Sequence, residues 1–271
     1  MGTKQIIDKK TLEKLYAKYN RREFVHPDPL EFLYNYDDPR DREIVGLVSS
    51  SLALGKVAQI LRNVSAILEM MKPAPYIFLK NARRKKIMNL FPGFKHRWCV
   101  GAEVASMLFG VKQILQRYET LQACFSEGLK SDDETVLPAL KFFAKELKAA
   151  SGGGCRSLIP APDKGSACKR LNLFLRWMVR RDEVDPGGWD CVSPAKLIVP
   201  LDTHMYCIAH ALKFTNRKQA NMKTAAEITK AFRKFSPNDP VRYDFALTRL
   251  GIRDDTDLPG FLRACGAITD V

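Results

Sequence analysis

Asp202 stands where an apolar run, Leu197-Ile198-Val199, ends at Pro200, just before a helix-forming stretch from Met205 to Leu212. A carboxylate there has a plain structural use. It caps the helix by accepting backbone N–H bonds of the first turn, where the helix dipole also favours negative charge. A second concentration of chemistry lies upstream, in Cys168 to Arg181, where Lys169, Arg170, Arg176, Arg180 and Arg181 are interleaved with Leu171, Phe174, Leu175 and Met178. The apolar residues form the stripe of an amphipathic helix, and Lys169, Arg176 and Arg180 recur at roughly helical spacing, placed to point together at a phosphate backbone or an anionic pocket. Trp177 and Trp189 have the ring size to stack on an extruded base, although a buried tryptophan is as a rule core. Two more cationic clusters, Lys80 to Lys86 and Lys95 to Arg97, read as solvated faces or as extensions of a phosphate-contact surface.

Other chemistries find no pattern. His26, His96, His204 and His210 show no metal-ligand spacing, and the seven cysteines are irregularly spaced with no close C-x-x-C pair. No metal site and no cofactor is expected, and the cysteines read as reduced thiols of a cytosolic protein. A phosphohydrolase built on Asp202-Thr203-His204 would need a paired His-Asp that the chain lacks.

The elements that must position these residues are helices. Apolar residues recur at three- and four-residue spacing in Leu12 to Tyr19, Ile44 to Met71, Val104 to Tyr118, Val136 to Leu147, Leu171 to Val179, Met205 to Leu212 and Ala225 to Phe235. Only Lys196 to Val199 reads as β-prone, and it is too short to seed a sheet. Prolines and glycines at 26–29, 72–75, 91–93, 151–154, 159–162, 185–188 and 236–240 break the pattern, the glycine run reading as a flexible loop. The fold class is therefore all-α, a bundle of helices joined by proline-marked turns.

With 271 residues, 46% of them hydrophobic, the chain can bury a full core unaided. Its first ten residues lack a signal-peptide core and no run reaches the roughly 18 apolar residues of a membrane span, so neither secretion nor insertion is expected. A net charge of +14 favours a polyanionic partner, nucleic acid first, because lysines and arginines gain affinity by releasing counterions condensed on phosphates.

The segment Pro200-Leu201-Asp202-Thr203-His204 resembles the catalytic segment of the helix-hairpin-helix DNA glycosylases, in which Pro-Val-Asp-x-His opens a helix. Met205, Tyr206 and the Ile208-Ala209 pair bring it nearer to the oxoguanine-type members. Asp41 to Ile60 is similar to that family's early helix, polar turn and next helix, and Ala225 to Phe235 with Tyr243 to Thr248 resembles its closing helices. The departure lies between them: where the family carries Leu-Pro-Gly-Val-Gly-x-Lys, this chain has Ile159-Pro160-Ala161-Pro162-Asp163-Lys164-Gly165-Ser166, without both hairpin glycines. The chain also resembles, from its early helix to its end, a family of bacterial and archaeal proteins of unknown function.

The resemblance implies a two-lobed glycosylase-like fold with a degenerate hairpin, one lobe of about 1–45 with 195–271 and the other of about 46–194. It implies cleavage of the N-glycosidic bond of a damaged base, an oxidised purine for instance, with Asp202 stabilising the cationic sugar. The nucleophilic lysine would be Lys169, as in the archaeal oxoguanine glycosylases, or else Lys164; a neutral amine would need burial or a neighbouring cation such as Arg170 or Arg176. Gly165, Ser166, Arg170, Arg176, Arg180 and His204 would contact nucleic acid, and Ser50, Ser51 and Trp177 the extruded base. A monomer acting on DNA is expected, with RNA as the other option, in the cytoplasm or on the nucleoid of a prokaryote. The alternative is a binding protein that kept the fold and lost the chemistry.

Overall fold

The structure is a computed structural model, and it describes residues 7–253 and 255–267. The class is all-α. The helices are α1 (Lys9–Tyr19), α2 (Pro39–Ser51), α3 (Val57–Glu69), α4 (Pro75–Asn81), α5 (Arg84–Met88), α6 (Gly101–Tyr118), α7 (Leu121–Glu127), α8 (Leu137–Ala150), α9 (Lys169–Val179), α10 (Thr203–Ala211), α11 (Met222–Arg233), α12 (Asp244–Ile252) and α13 (Leu258–Ala264). Short 3-10 turns cover Arg22–Phe24, Pro29–Asn35, Pro162–Lys164 and Pro194–Lys196.

Local chemistry sets most of these boundaries. Asp8, Asp38, Thr120, Asn221 and Asp257 each cap a following helix by accepting a backbone N–H of its first turn. Prolines sit in the first turn of α2, α4, α8 and α13, where their missing N–H has no partner to lose. The glycine run is the end of α8 rather than a free loop: Gly152 and Gly153, both at positive φ, donate back to Ala149 and Lys148 carbonyls and close the helix.

Two readings of the sequence need correction. Lys196 to Val199 forms no strand: Lys196 ends a 3-10 turn, and Leu197 to Val199 lead on to Asp202, with Val199 N donating to Thr229 Oγ1 at 3.0 Å. Two-residue strands form instead at β1 (Lys95–His96) and β2 (Cys99–Val100), antiparallel, with Lys95 opposite Val100. The long periodic stretch from Ile44 to Met71 is broken at Leu52 to Lys56, and α2 runs through Ser51.

α9 is the central element: every residue from Leu171 to Val179 is buried, and the helix packs along α2. Around this pair α6 packs with α4, α5, α7 and α8, and α12 packs with α1 and α10. The expected lobe boundary at 45/46 falls inside α2, which also packs with α3, α4 and α7. The seven cysteines are unpaired, and among the described residues no helix is long and apolar enough to cross a membrane and no cluster of His, Cys, Asp and Glu is arranged to hold a metal.

Candidate active site

Segments distant in sequence converge on one cavity of about 650 Å³, within the roughly 300–1,000 Å³ of small-molecule sites. The loop after α2 contributes Ala53, Leu54 and Gly55, and α3 contributes Val57 and Ile60. Gly55 sits at φ +107°, a conformation that side chains resist, so the sharp exit from α2 needs a glycine. The first turn of α10 contributes Asp202, Thr203, His204 and Tyr206; α9 contributes Lys169 and Leu173. Asp28 and its flanking prolines, Leu201, Ala220, and Arg249 and Ile252 of α12 also line it.

Asp202 is the N-cap of α10, its Oδ1 accepting from Met205 N at 2.8 Å. The plain structural role is therefore real, and it aims the carboxylate: with one oxygen fixed by the helix, the half-buried side chain presents the rest of the group to the cavity. Lys169 is the first residue of α9. It follows Cys168, which adopts a left-handed conformation that turns the chain sharply into the helix. Its Nζ donates to the Ala53 carbonyl at 3.2 Å. Among the described residues no ion pair within 4.0 Å joins Lys169 to Asp202.

Burial lowers the pKa of Lys169 below the ordinary lysine value of 10.5, against the opposing pull of Asp202, Asp28 and Asp244; Arg170 adds to the lowering. The positive end of the α9 dipole, at whose first residue the lysine stands, disfavours an ammonium as well. Part of the side chain still faces the cavity. The result is an amine biased toward its neutral, nucleophilic form in the same cavity as a carboxylate.

Several residues singled out from the sequence lie elsewhere. Arg176 and Arg180 are buried and face inward: Arg176 pairs with Asp185 and, at 2.5 Å, with Asp244, while Arg180 pairs with Asp185, with Asp182 at 2.7 Å and with Asp239 at 3.0 Å. The expectation that they point at a nucleic-acid backbone is corrected, because their charges are spent on carboxylates inside the protein. Trp177 is fully buried in the core and does not line the cavity. Ser50 and Ser51 are buried too, since they belong to the last turn of α2 and the turn by the cavity begins after them; their place is taken by Ala53, Leu54 and Gly55. Arg170 donates to the Ser51 and Ser157 carbonyls, both at 2.7 Å, and so ties the α2 exit to the segment before α9. Burial lowers its own pKa from 12.5 without removing its charge, and that charge acts on Lys169.

Lys164, Gly165 and Ser166 are exposed and lie outside the cavity lining. Gly165 has φ +76° and its carbonyl accepts from Met222 N, which fastens this stretch to the start of α11. His204 does line the cavity and lies against Gly251, where an added Cβ would come within 2.7 Å of its Nδ1.

Sequence reasoning missed Asp28 and Arg249. Asp28 Oδ2 accepts from Arg249 Nη2 at 2.7 Å across 221 residues, and no local pattern marks either partner. Arg249 is buried over the Phe245 ring, 4.6 Å from its centroid, and its Nε and Nη1 have no hydrogen-bond partner.

Comparison with known proteins returns one family, described as a protein of unknown function (DUF2400), which matches residues 28–253. No curated protein and no solved structure matches the chain.

Proposed function

The chain belongs to the DUF2400 family, which brings no activity with it, and we propose from the site that the protein is a base-excision enzyme cleaving the N-glycosidic bond of a damaged base in DNA. The observation that carries the reading is that Lys169 and Asp202 line one cavity, with burial lowering the pKa of the lysine amine. The kinship to helix-hairpin-helix glycosylases, the two-lobed division and the choice of an oxidised purine belong to the same proposal, which the net charge of +14 also supports.

In this reading the damaged nucleotide leaves the base stack and enters the cavity. The Lys169 amine attacks the sugar carbon C1′; the bond to the base breaks, its electron pair leaves with the base, and the amine gives up a proton as the base takes one. Asp202 stabilises the positive charge that develops on the sugar before the new bond is complete. The adduct opens to a Schiff base, from which the strand can be cut by elimination of the 3′ phosphate.

The test uses duplexes with single lesions and borohydride. Wild type should release a base and give a trapped covalent adduct; Lys169→Gln should lose the adduct, and Asp202→Asn should lose turnover while still binding. Binding without release of any lesion would replace the enzyme by the alternative, a nucleic-acid-binding protein on the same fold.

A further inference from the structure

The β1–β2 hairpin stands beside the cavity with an aromatic ring directed outward. Its register pairs His96 with Cys99, so its turn is Arg97-Trp98, with Arg97 in the left-handed region at φ 54°. Trp98 is 59% exposed, the highest value among the large exposed hydrophobics of the described residues. Tryptophan is seldom left in water, since its ring carries much of the apolar area that folding normally buries. The other two tryptophans, Trp177 and Trp189, are buried.

The hairpin is held where it is by the cavity loop. His96 is buried with Nδ1 2.9 Å from Asn63 Nδ2 and Nε2 3.1 Å from the Leu54 carbonyl. With the Asn63 amide donating to Nδ1, the imidazole N–H is on Nε2 and donates to Leu54, and burial holds the pKa of His96 below its ordinary value. Arg97 lies against Gly55, its Nη1 3.2 Å from where a Cβ would be, and its guanidinium is 5.0 Å from the Trp98 ring centroid. Leu54 and Gly55 both line the cavity, so the turn is braced on its edge while Trp98 itself stays outside.

Charge gives the surface its partner. Residues 52–63 and 91–102, the two segments that meet here, contain the exposed cations Lys56, Arg62, Lys95 and Arg97 and no aspartate or glutamate. An indole flanked by a guanidinium and ammonium groups suits a polyanion with flat, uncovered rings, which is nucleic acid at a point where a base has left its stack. A protein partner would use the apolar ring but offers no regular array of charge, and a lipid headgroup surface offers phosphates but no flat rings to stack. We infer that Trp98 stacks on a base next to the one that enters the cavity, while Arg97, Lys95 and Lys56 hold the adjoining phosphates. This rests on the proposed function, and it assigns to the hairpin the task of holding the strand open.

The test is fluorescence and binding on the full chain. Because Trp177 and Trp189 are buried, acrylamide should quench chiefly Trp98, and a saturating duplex with a single abasic-site analogue should protect it. Trp98→Ala should bind that duplex about tenfold or more weakly with an unchanged salt slope, the size of one lost base stack, while Trp98→Phe keeps most of the affinity. Arg97→Ala should instead flatten the salt slope by about one ion. Equal affinity of Trp98→Ala and wild type, with Trp98 still open to acrylamide in the complex, would overturn the inference. Protection of Trp98 without excision of any lesion leaves the hairpin assignment standing and removes the enzyme; excision with Trp98 unprotected does the reverse.

Discussion

Lys169 carries two demands that oppose each other. An amine that must be neutral to attack has to be withdrawn from water, and withdrawing it costs the fold whatever it costs to keep the proton off or to bury the charge. Burial lowers its pKa while Asp202, Asp28 and Asp244 pull the other way, and its one hydrogen bond goes to the Ala53 carbonyl. Replacing it by methionine, which fills similar volume without a charge, should therefore raise stability by about 1 kcal/mol while abolishing adduct formation. Thermal melting at pH 7 checks the first effect: at this chain length that gain is a rise of about 2–4 °C, and a lower melting temperature would show that the amine is a structural anchor. The pH profile follows from the same shift. Single-turnover excision should rise with pH as the lysine loses its proton and should level off below 10.5, the ordinary lysine value; a rate that climbs through 10.5 would mean that the amine is not desolvated in the working site. That Asp202 opens a helix was readable from the sequence, because an apolar run ends at a proline just before it; that Lys169, and not Lys164, shares its cavity was not, because spacing left both lysines open. Asp28 and Arg249 were not readable either, since their pairing is made by two distant segments that meet only in the fold.

Helix α2 illustrates how an element places a site by being tied at several points along its length. Glu43, near its middle, is buried and accepts from Leu121 N at 2.6 Å, Gln122 N at 3.0 Å and Trp189 Nε1 at 3.0 Å, so one carboxylate caps α7 and fastens the loop after α9. Burial raises its pKa from 4.5 to about 7 despite those three donors. A raised folded value means that the folded protein holds the proton more tightly than the unfolded chain does, so the stability this group contributes is full below 4.5 and is lost as pH rises through about 7. Glu43→Gln removes that titration. Chemical denaturation between pH 5 and 8 should show wild type losing stability relative to Glu43→Gln as pH rises, by an amount on the order of 1–3 kcal/mol; the opposite trend would mean that the three donors outweigh burial. The far end of α2 shows the limit of pattern reading. Ser49-Ser50-Ser51 looks like a polar turn, yet helical hydrogen bonding continues through Ser51 and the turn begins one residue later, because Gly55 is the residue able to take the positive φ of the exit.

Across the whole molecule, not all of the 44 lysines and arginines are available to a partner, and the arginine cluster of α9 shows why. Helical spacing puts Arg176 and Arg180 on one face, as read from the sequence, but which way that face points is decided by carboxylates elsewhere in the chain: Asp182 and Asp185 in the turn after α9, Asp239 before α12 and Asp244 on it. Asp185 is fully buried and bridges both arginines, joining the end of α9 to the turn that Tyr34 also holds through the Val184 carbonyl. Removing one member of such a group leaves buried charges without partners, a loss of about 3–5 kcal/mol. Asp185→Asn should accordingly lower the melting temperature by roughly 6–20 °C. The salt slope of DNA binding, measured well below that melting temperature, should stay at its wild-type value, because neither arginine reaches a phosphate. Lys95→Ala and Lys56→Ala should do the opposite, each flattening the slope by about one ion with the melting temperature unchanged. A flattened slope in Asp185→Asn, at temperatures where the protein is folded, would show that Arg176 and Arg180 serve the nucleic acid after all, and would move the binding face from the hairpin and cavity edge to the end of α9.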